Sequence, residues 1–321
     1  MSGARGQLVT CPAGITAPAD PARVRELLGE GGFFWLDLPD PGEDSLRLLS
    51  EDFGIHPLVI EDISKFGQRP KAEEYDTYVF VVAFACDAAG EGLAEVHCLL
   101  SERWLVTIHR DGGAPLESLR DRFARRGRAP DSPVMLLHAV LDTIVDSFFP
   151  ALSHIDERIS AIDERLDEGA ADVQHEIFAV KRRLVALGRV AGPQRDLLAR
   201  IAGRILPLPG AGPESEHYLR DVYDHTVRIE ELTDVYRDLL NGATEVHLAG
   251  VSNRLNQVMK QLTAIATVFL PLTFITGFFG QNFGWLVDHV GGLGPFLLLG
   301  VGLQAATVVG LLALFRRRGW I

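Results

Sequence analysis

Cysteine is scarce in this chain, and its three residues, Cys11, Cys86 and Cys98, show neither CxxC nor zinc-finger spacing. That excludes a disulfide framework or a zinc ribbon and leaves reduced, incidental thiols. Also missing are a phosphate-binding P-loop, a GxSxG elbow, an HExxH helix and a dinucleotide fingerprint. With no nucleophile–base or metal–base constellation, the expectation is that the chain is not an enzyme and takes no organic cofactor. Positive charge is in short supply as well: 31 Lys and Arg stand against 43 Asp and Glu, a net −12. A nucleic-acid partner would want the opposite balance. The opening stretch MSGARGQLVTCPAG has no apolar core, so no signal peptide is expected. The most informative absence lies near the other end: from Gln261 to Phe283 there is no charged side chain.

A charge-free run of that length matches the roughly 20 apolar residues that span a bilayer. A second apolar run, Val290 to Phe315, follows after a short break. The first is not uniformly apolar. Alternating three- and four-residue steps pick out Asn256, Met259, Thr263, Ala266, Leu270, Thr273, Gly277 and Gly280, while Ile265, Phe269, Leu272 and Ile275 fall elsewhere. Lipid gives no reason to align such residues. Close helix packing through small residues gives one, and the lining of a water-filled path gives another. A single striped helix per chain cannot enclose a path, so the pattern implies self-association. Arg254 and Lys260 precede the first span and Arg316, Arg317 and Arg318 close the second, whereas the intervening loop has no Lys or Arg. By the positive-inside rule both termini are cytoplasmic and the loop is outside.

Residues 1–140 read as a mixed α/β domain. Phe33–Leu38, Tyr78–Cys86, Glu95–Leu100 and Trp104–His109 are short and rich in aromatic and β-branched residues, which predicts strands. DAAGEG, Asp87–Gly92, reads as a hairpin connection between two of them. PGEDSLRLLSEDFG and HPLVIEDIS have helical spacing. His56, Glu61 and Asp62 are too loosely spaced to read as a metal cluster and suit a capped helix start better. Residues 141–206 read as an antiparallel helical hairpin, from Leu152, Ile155, Ile159 and Ile162 and then Ile177, Val180, Leu184 and Leu187, turning within DEGAAD (Asp167–Asp172). PLPGAGP is the strongest break. After it, Pro213 with Glu214 and Glu216 makes a helix start, and no proline follows until Pro271. One helix over 213–279 is therefore predicted, on the order of 100 Å long at 1.5 Å per residue. Its part from Glu214 to Glu245 carries nine acids against three Arg.

These residues together resemble the CorA family of divalent-cation channels, the two-span Gly-x-Asn class. FGQNF (Phe279–Phe283) ends the first span, preceded by PLTFITG and followed after the second span by RRRGW; HPLVIED, RPKAEEY, RDVYDHT and VSNRLNQVMK extend the likeness over nearly the whole chain. The resemblance implies a funnel-shaped homopentamer in the cell's inner membrane. Its parts would be an α/β cytoplasmic domain, a long stalk helix running into the first transmembrane helix, an outer loop at 280–292, a second transmembrane helix at 293–315 and a basic cytoplasmic tail at 316–321. Gly280, Gln281 and Asn282 would form the selectivity mouth, and Asn256, Met259, Leu262, Ala266, Leu270, Thr273 and Gly277 would line the pore. Leu262 there replaces Thr263 of the stripe. Regulatory Mg2+ would bind at Asp221, with Asp224 and His225 nearby, and Asp288 in the outer loop would concentrate cations. The partner acid for Asp221 is not placed, with Asp76 and Asp87 as weak candidates.

The implied function is Mg2+ transport, with Co2+ and Ni2+ as further cargo. The family's magnesium transporters usually carry Met where this chain has Gln281, and a ZntB-like zinc branch also departs from Met. The alternative is accordingly a Zn2+ transporter of the same fold, coupled to protons, although neither span holds a titratable group. A membrane-anchored sensor or scaffold is the third reading. The expected partners are further copies of the chain, divalent cations and the lipid bilayer.

Overall fold

The computed structural model describes residues 6–87, 92–110, 113–170 and 172–320. It divides into two compact units, Met1–Thr244 and Glu245–Ile321.

The first unit is built on a seven-stranded sheet of β1 (Gln7–Thr10), β2 (Ile15–Pro18), β3 (Phe34–Pro39), β4 (Lys71–Glu74), β5 (Val79–Cys86), β6 (Leu93–Leu100) and β7 (Trp104–His109). The spatial order is β2-β1-β3-β7-β6-β5-β4. Only β3 and β7 pair in parallel, Phe34 opposite Trp104, and the other pairs are antiparallel. Strand alternation splits the core in two. Phe34, Leu36, Phe80, Val82, Val106 and Ile108 pack on one face, against α1 (Pro21–Glu30), α2 (Glu43–Glu51) and α3 (Pro57–Lys65). Trp35, Val79, Val81, Ala83 and Leu105 pack on the other, with α4 (Ala114–Arg126), α5 (Pro133–Asp146), α6 (Phe148–Asp167) and α7 (Gln174–Ala202).

The four predicted strands are present within a residue or two. Strands β1, β2 and β4 were not anticipated: β1 and β2 are four residues each, and β4 is the charged edge segment KAEE. Between 133 and 202 there are three helices where a two-helix hairpin was expected. The added one, α5, buries Leu136, Leu137, Val140, Leu141 and Ile144 in the domain core. The anticipated hairpin turn falls on residues 88–91, outside the described residues, and the 167–172 turn includes residue 171, also outside them.

Helix α8 covers Pro213–Phe279, 67 residues. Its first half buries Ser215, Leu219, Val222, Thr226, Ile229, Thr233, Tyr236, Leu240 and Ala243 at strict four- and three-residue steps. That heptad seam lies along α7, which runs antiparallel. Lys181 Nζ donates to Asn241 Oδ1 at 2.7 Å, and Arg195 Nη1 to Glu230 Oε2 at 2.5 Å. Gly188 on α7 lets the helices approach: a Cβ there would lie 3.1 Å from Arg237 Nη2 and 3.6 Å from Thr233 Cγ2. The buried Gln194 ties α7 to the sheet, its Oε1 accepting from Phe84 N at 2.7 Å.

The second unit contains the remainder of α8, a short α9 (Gly284–His289), and a second apolar helix over Leu293–Arg317. The latter starts as α10 (Leu293–Pro295), is π-wound over Phe296–Gly302 and continues as α11 (Leu303–Arg317). Both apolar helices are long enough to span a membrane, and the apolar stretch of neither is buried within the chain.

One buried polar network fixes the sheet to α4. Asp37 is fully buried, accepts from Thr107 Oγ1 at 2.5 Å and pairs with the Arg120 guanidinium. Thr107 in turn accepts from Trp35 Nε1 at 2.8 Å. Removing the carboxylate would strand a guanidinium that is 11% exposed. Asp37→Ala is expected to destabilise the protein by about 3–5 kcal/mol. The check is the thermal unfolding midpoint of the full chain in detergent, where an unchanged midpoint would show that the network carries no net stability.

Candidate ion path and metal centre

In the second unit, the stripe on α8 is laid out at the expected spacing. Met259, Leu262 and Leu270 are exposed, and the groove beside Ala266, Thr267 and Pro271 is open. The threonine hydroxyls are not idle: Thr263 Oγ1 donates to Met259 O at 2.7 Å and Thr273 Oγ1 to Phe269 O at 2.8 Å. Each spends its proton on the helix and keeps oxygen lone pairs for an outside donor. Asn256 and Gly277 are exposed as well.

Helix α8 ends at Phe279 because Gly280 closes it. Gly280 N donates to Thr276 O at 2.9 Å and Gln281 N to Phe278 O at 3.3 Å. A Cβ on residue 280 would lie 2.9 Å from that same Thr276 carbonyl oxygen, so only glycine makes this turn without displacement. Gln281 and Asn282 follow at once, both exposed, their carboxamides without hydrogen-bond partners among the described residues. Asp288 is exposed on α9, beside His289, whose ring stacks on Trp285 at 4.8 Å.

In the first unit, α5 and α8 bring together Asp142, Asp146 and His225, one potential ligand atom of each lying within 4.8 Å of the others. His225 Nδ1 is 3.1 Å from Asp146 Oδ1, and Phe149 meets the imidazole edge-on at 5.8 Å. Burial pushes the Asp142 carboxyl pKa up and the Asp146 charge pushes it further; His138 and His225 oppose the rise. Burial pulls the His138 imidazole down, against the charges of Asp142 and Asp221. Asp221 stands one helical turn before His225 on α8. Asp221 and Asp224, both exposed, do not join it.

The donor set fits a divalent cation. Burial, with the neighbouring Asp146 charge, raises the Asp142 carboxyl pKa, and a cation held between the two acids would favour its ionised form. Imidazole with carboxylates suits Co2+, Ni2+ or Zn2+, whereas Mg2+ prefers oxygen alone. The sequence reading named His225 but missed Asp142 and Asp146. Their signal was available in LDTIVD: four-residue spacing on a helix puts both carboxylates on one face.

The other sequence candidates are accounted for locally. His56 is the N-cap of α3, its Nδ1 accepting from Leu58 N at 3.2 Å. Glu61 pairs with Lys65 at 2.5 Å, and Asp62 with Lys71 at 2.8 Å. Asp87 accepts from Gly92 N at 2.9 Å. Asp76 lies on the rim of an open cleft with Tyr75 and Arg103, away from the acid–histidine cluster.

Residues 30–317 match the family model described as CorA-like Mg2+ transporter protein. The cobalt/magnesium transport protein CorA of Thermotoga maritima is 34% identical over 290 residues, covering 87% of this chain and 80% of that protein. The zinc transport protein ZntB of Pectobacterium atrosepticum is 22% identical over 292 residues, 89% of this chain and 88% of that one. The solved complete structure of the CorA magnesium transporter from Methanocaldococcus jannaschii matches all of both chains with a TM-score of 0.84 at 21% identity, a likeness of fold. The α/β domain, the long helix and the paired apolar helices, together with a family match over residues 30–317, leave one assignment: this chain belongs to the CorA-like Mg2+ transporter family, whose members are transporters and not enzymes.

Proposed function

We propose that the protein is a Mg2+ uptake channel of the inner membrane, assembled from five copies of the chain, with Co2+ and Ni2+ as further cargo. The observation that carries this is the end of α8: a turn that glycine makes without displacement, followed directly by two exposed carboxamides. Mg2+ releases its water reluctantly, so a ring of carboxamide oxygens would hold the hydrated ion by accepting hydrogen bonds from its water ligands. Gln281 adds a second ring to that of Asn282. The exposed stripe of α8 supports self-association, because lipid gives no reason to align small and polar residues such as Thr263, Ala266, Thr273 and Gly277 on one side. Below the mouth, the side chains offer oxygen lone pairs and apolar surface but no histidine or cysteine, which suits a hydrated hard ion. Met259 and Leu270 would form a constriction that gates by dewetting. Arg316, Arg317 and Arg318 at the end of the second span, with no Lys or Arg in the 280–292 loop, support a topology with both termini inside.

Regulation would reside in the first unit. Asp142, Asp146 and His225, whose potential ligand atoms lie within 4.8 Å of one another, would hold the cytosolic cation. Because the acids belong to α5 and the histidine to α8, occupancy would favour their contact and bias the protein toward one state.

Two outcomes follow. Asn282→Ala is expected to lower voltage-driven Mg2+ entry into liposomes by about tenfold or more, with the oligomer intact by size. Normal flux would remove Asn282 from the mouth, and Zn2+ entry driven by a pH gradient would transfer the protein to the zinc reading. For the regulatory cluster, Asp146→Asn combined with His225→Ala should raise the Co2+ concentration needed for protease protection by about tenfold or more. Asp224→Asn, outside the cluster, should leave it unmoved; equal effects of the two would sink the assignment.

A further inference from the structure

The second apolar helix carries one side chain that a purely lipid-facing helix has no use for. Gln304 Nε2 donates to Thr276 Oγ1 at 2.8 Å, joining α11 to α8. Thr276 is already a junction. Its hydroxyl donates to Leu272 O at 2.8 Å, and its carbonyl accepts from Gly280 N at 2.9 Å, the bond that closes α8 ahead of Gln281 and Asn282. One residue thus receives the polar contact of the second helix and anchors the turn that presents the carboxamides.

The phase of that contact is set just upstream. The helix is π-wound over Phe296–Gly302, and Leu303 N donates to Leu298 O, five residues back. Each residue of α-helix turns about 100°, so wide turns before Leu303 rotate everything after them relative to an unbroken α-helix. The rotation that brings Gln304 onto Thr276 follows from this winding. A carboxamide in hydrocarbon must find a partner, and here its partner is the anchor of the 280–282 turn.

We propose that Gln304 is a positioning residue for ion capture: through Thr276 it holds the Gly280 turn, and with it the Gln281 and Asn282 carboxamides, in the geometry that accepts a hydrated cation. It does not touch the ion. The inference rests on the reading of 280–282 as the mouth, and it makes the second apolar helix part of the mouth's mechanism rather than a membrane anchor alone.

The test uses the full chain in liposomes with an entrapped Mg2+-sensitive dye, reading half-saturating Mg2+ separately from maximal flux. Gln304→Leu and Thr276→Val should each raise the half-saturating concentration about three- to tenfold. The double variant should do no more than either single, because both remove one bond. Thr276→Ser, which keeps the hydroxyl, should behave as the unmodified protein. Thr276→Val and Thr276→Ser decide the matter even where Gln304→Leu fails to assemble. Unchanged half-saturation in Thr276→Val, or additive effects in the double variant, would overturn the proposal while Asn282→Ala still lowered flux. Normal flux in Asn282→Ala would instead bring down the mouth reading itself.

Discussion

Helix α8 runs for 67 residues without a break, and in water the apolar face of so long a helix needs packing partners, so the arrangement of partners along it decides what each part can do. Up to Thr244 the support is internal. A heptad seam from Ser215 to Ala243 meets α7, with Gly188 permitting close approach and Lys181 and Arg195 pinning the register through Asn241 and Glu230. This seam accepts Thr226 and Thr233 at buried positions because each hydroxyl donates back to the carbonyl four residues earlier, at 2.9 and 2.7 Å. Beyond Glu245 the balance reverses: the apolar surface faces outward and the helix draws its stability from its surroundings. The same helix is thus a core element in one unit and an exposed apolar helix in the other.

Polar groups in the first unit follow two different rules. Asp37 has its oxygens occupied by Thr107 and Arg120, and such a closed network fixes structure. Asp142 and Asp146 share one histidine between two carboxylates, and burial raises Asp142 further. On the proposed reading the open cluster is the one that takes up a cation, whereas the closed network has no donor oxygen to spare. That difference, rather than acidity as such, separates Asp142 and Asp146 from the many acids spread over the exposed face of α8.

Much of this was legible in the chain beforehand. The strands from Phe34, Val79 and Trp104 announce themselves by aromatic and β-branched runs, and α8 by Pro213 and the long gap to Pro271. What escaped shares one physical feature: its meaning depends on a distant partner. The β4 segment KAEE has no strand propensity and is recruited by β5, with Ala72 opposite Val81. Helix α5 is apolar on so much of its surface that no stripe stands out. Asp142 and Asp146 become a site only when α8 brings His225 to them. Gln304 looks like a solitary amide until the π-wound turns aim it at Thr276.

The two candidate sites carry opposite chemistry, and the proposed roles of capture and sensing ask for that opposition. An ion that must leave as readily as it arrives is best met by neutral carboxamides and hydroxyl oxygens, which touch its water and bind weakly in many places. An ion that reports the cell's content is best met by charge and imidazole, which bind it tightly enough to change a helix contact. The chain keeps these donor types apart: carboxamides at residues 281 and 282, and carboxylates with histidine on α5 and α8 more than 50 residues earlier. On the proposed roles, exchanging them would give a mouth that retains its cargo and a sensor that does not respond.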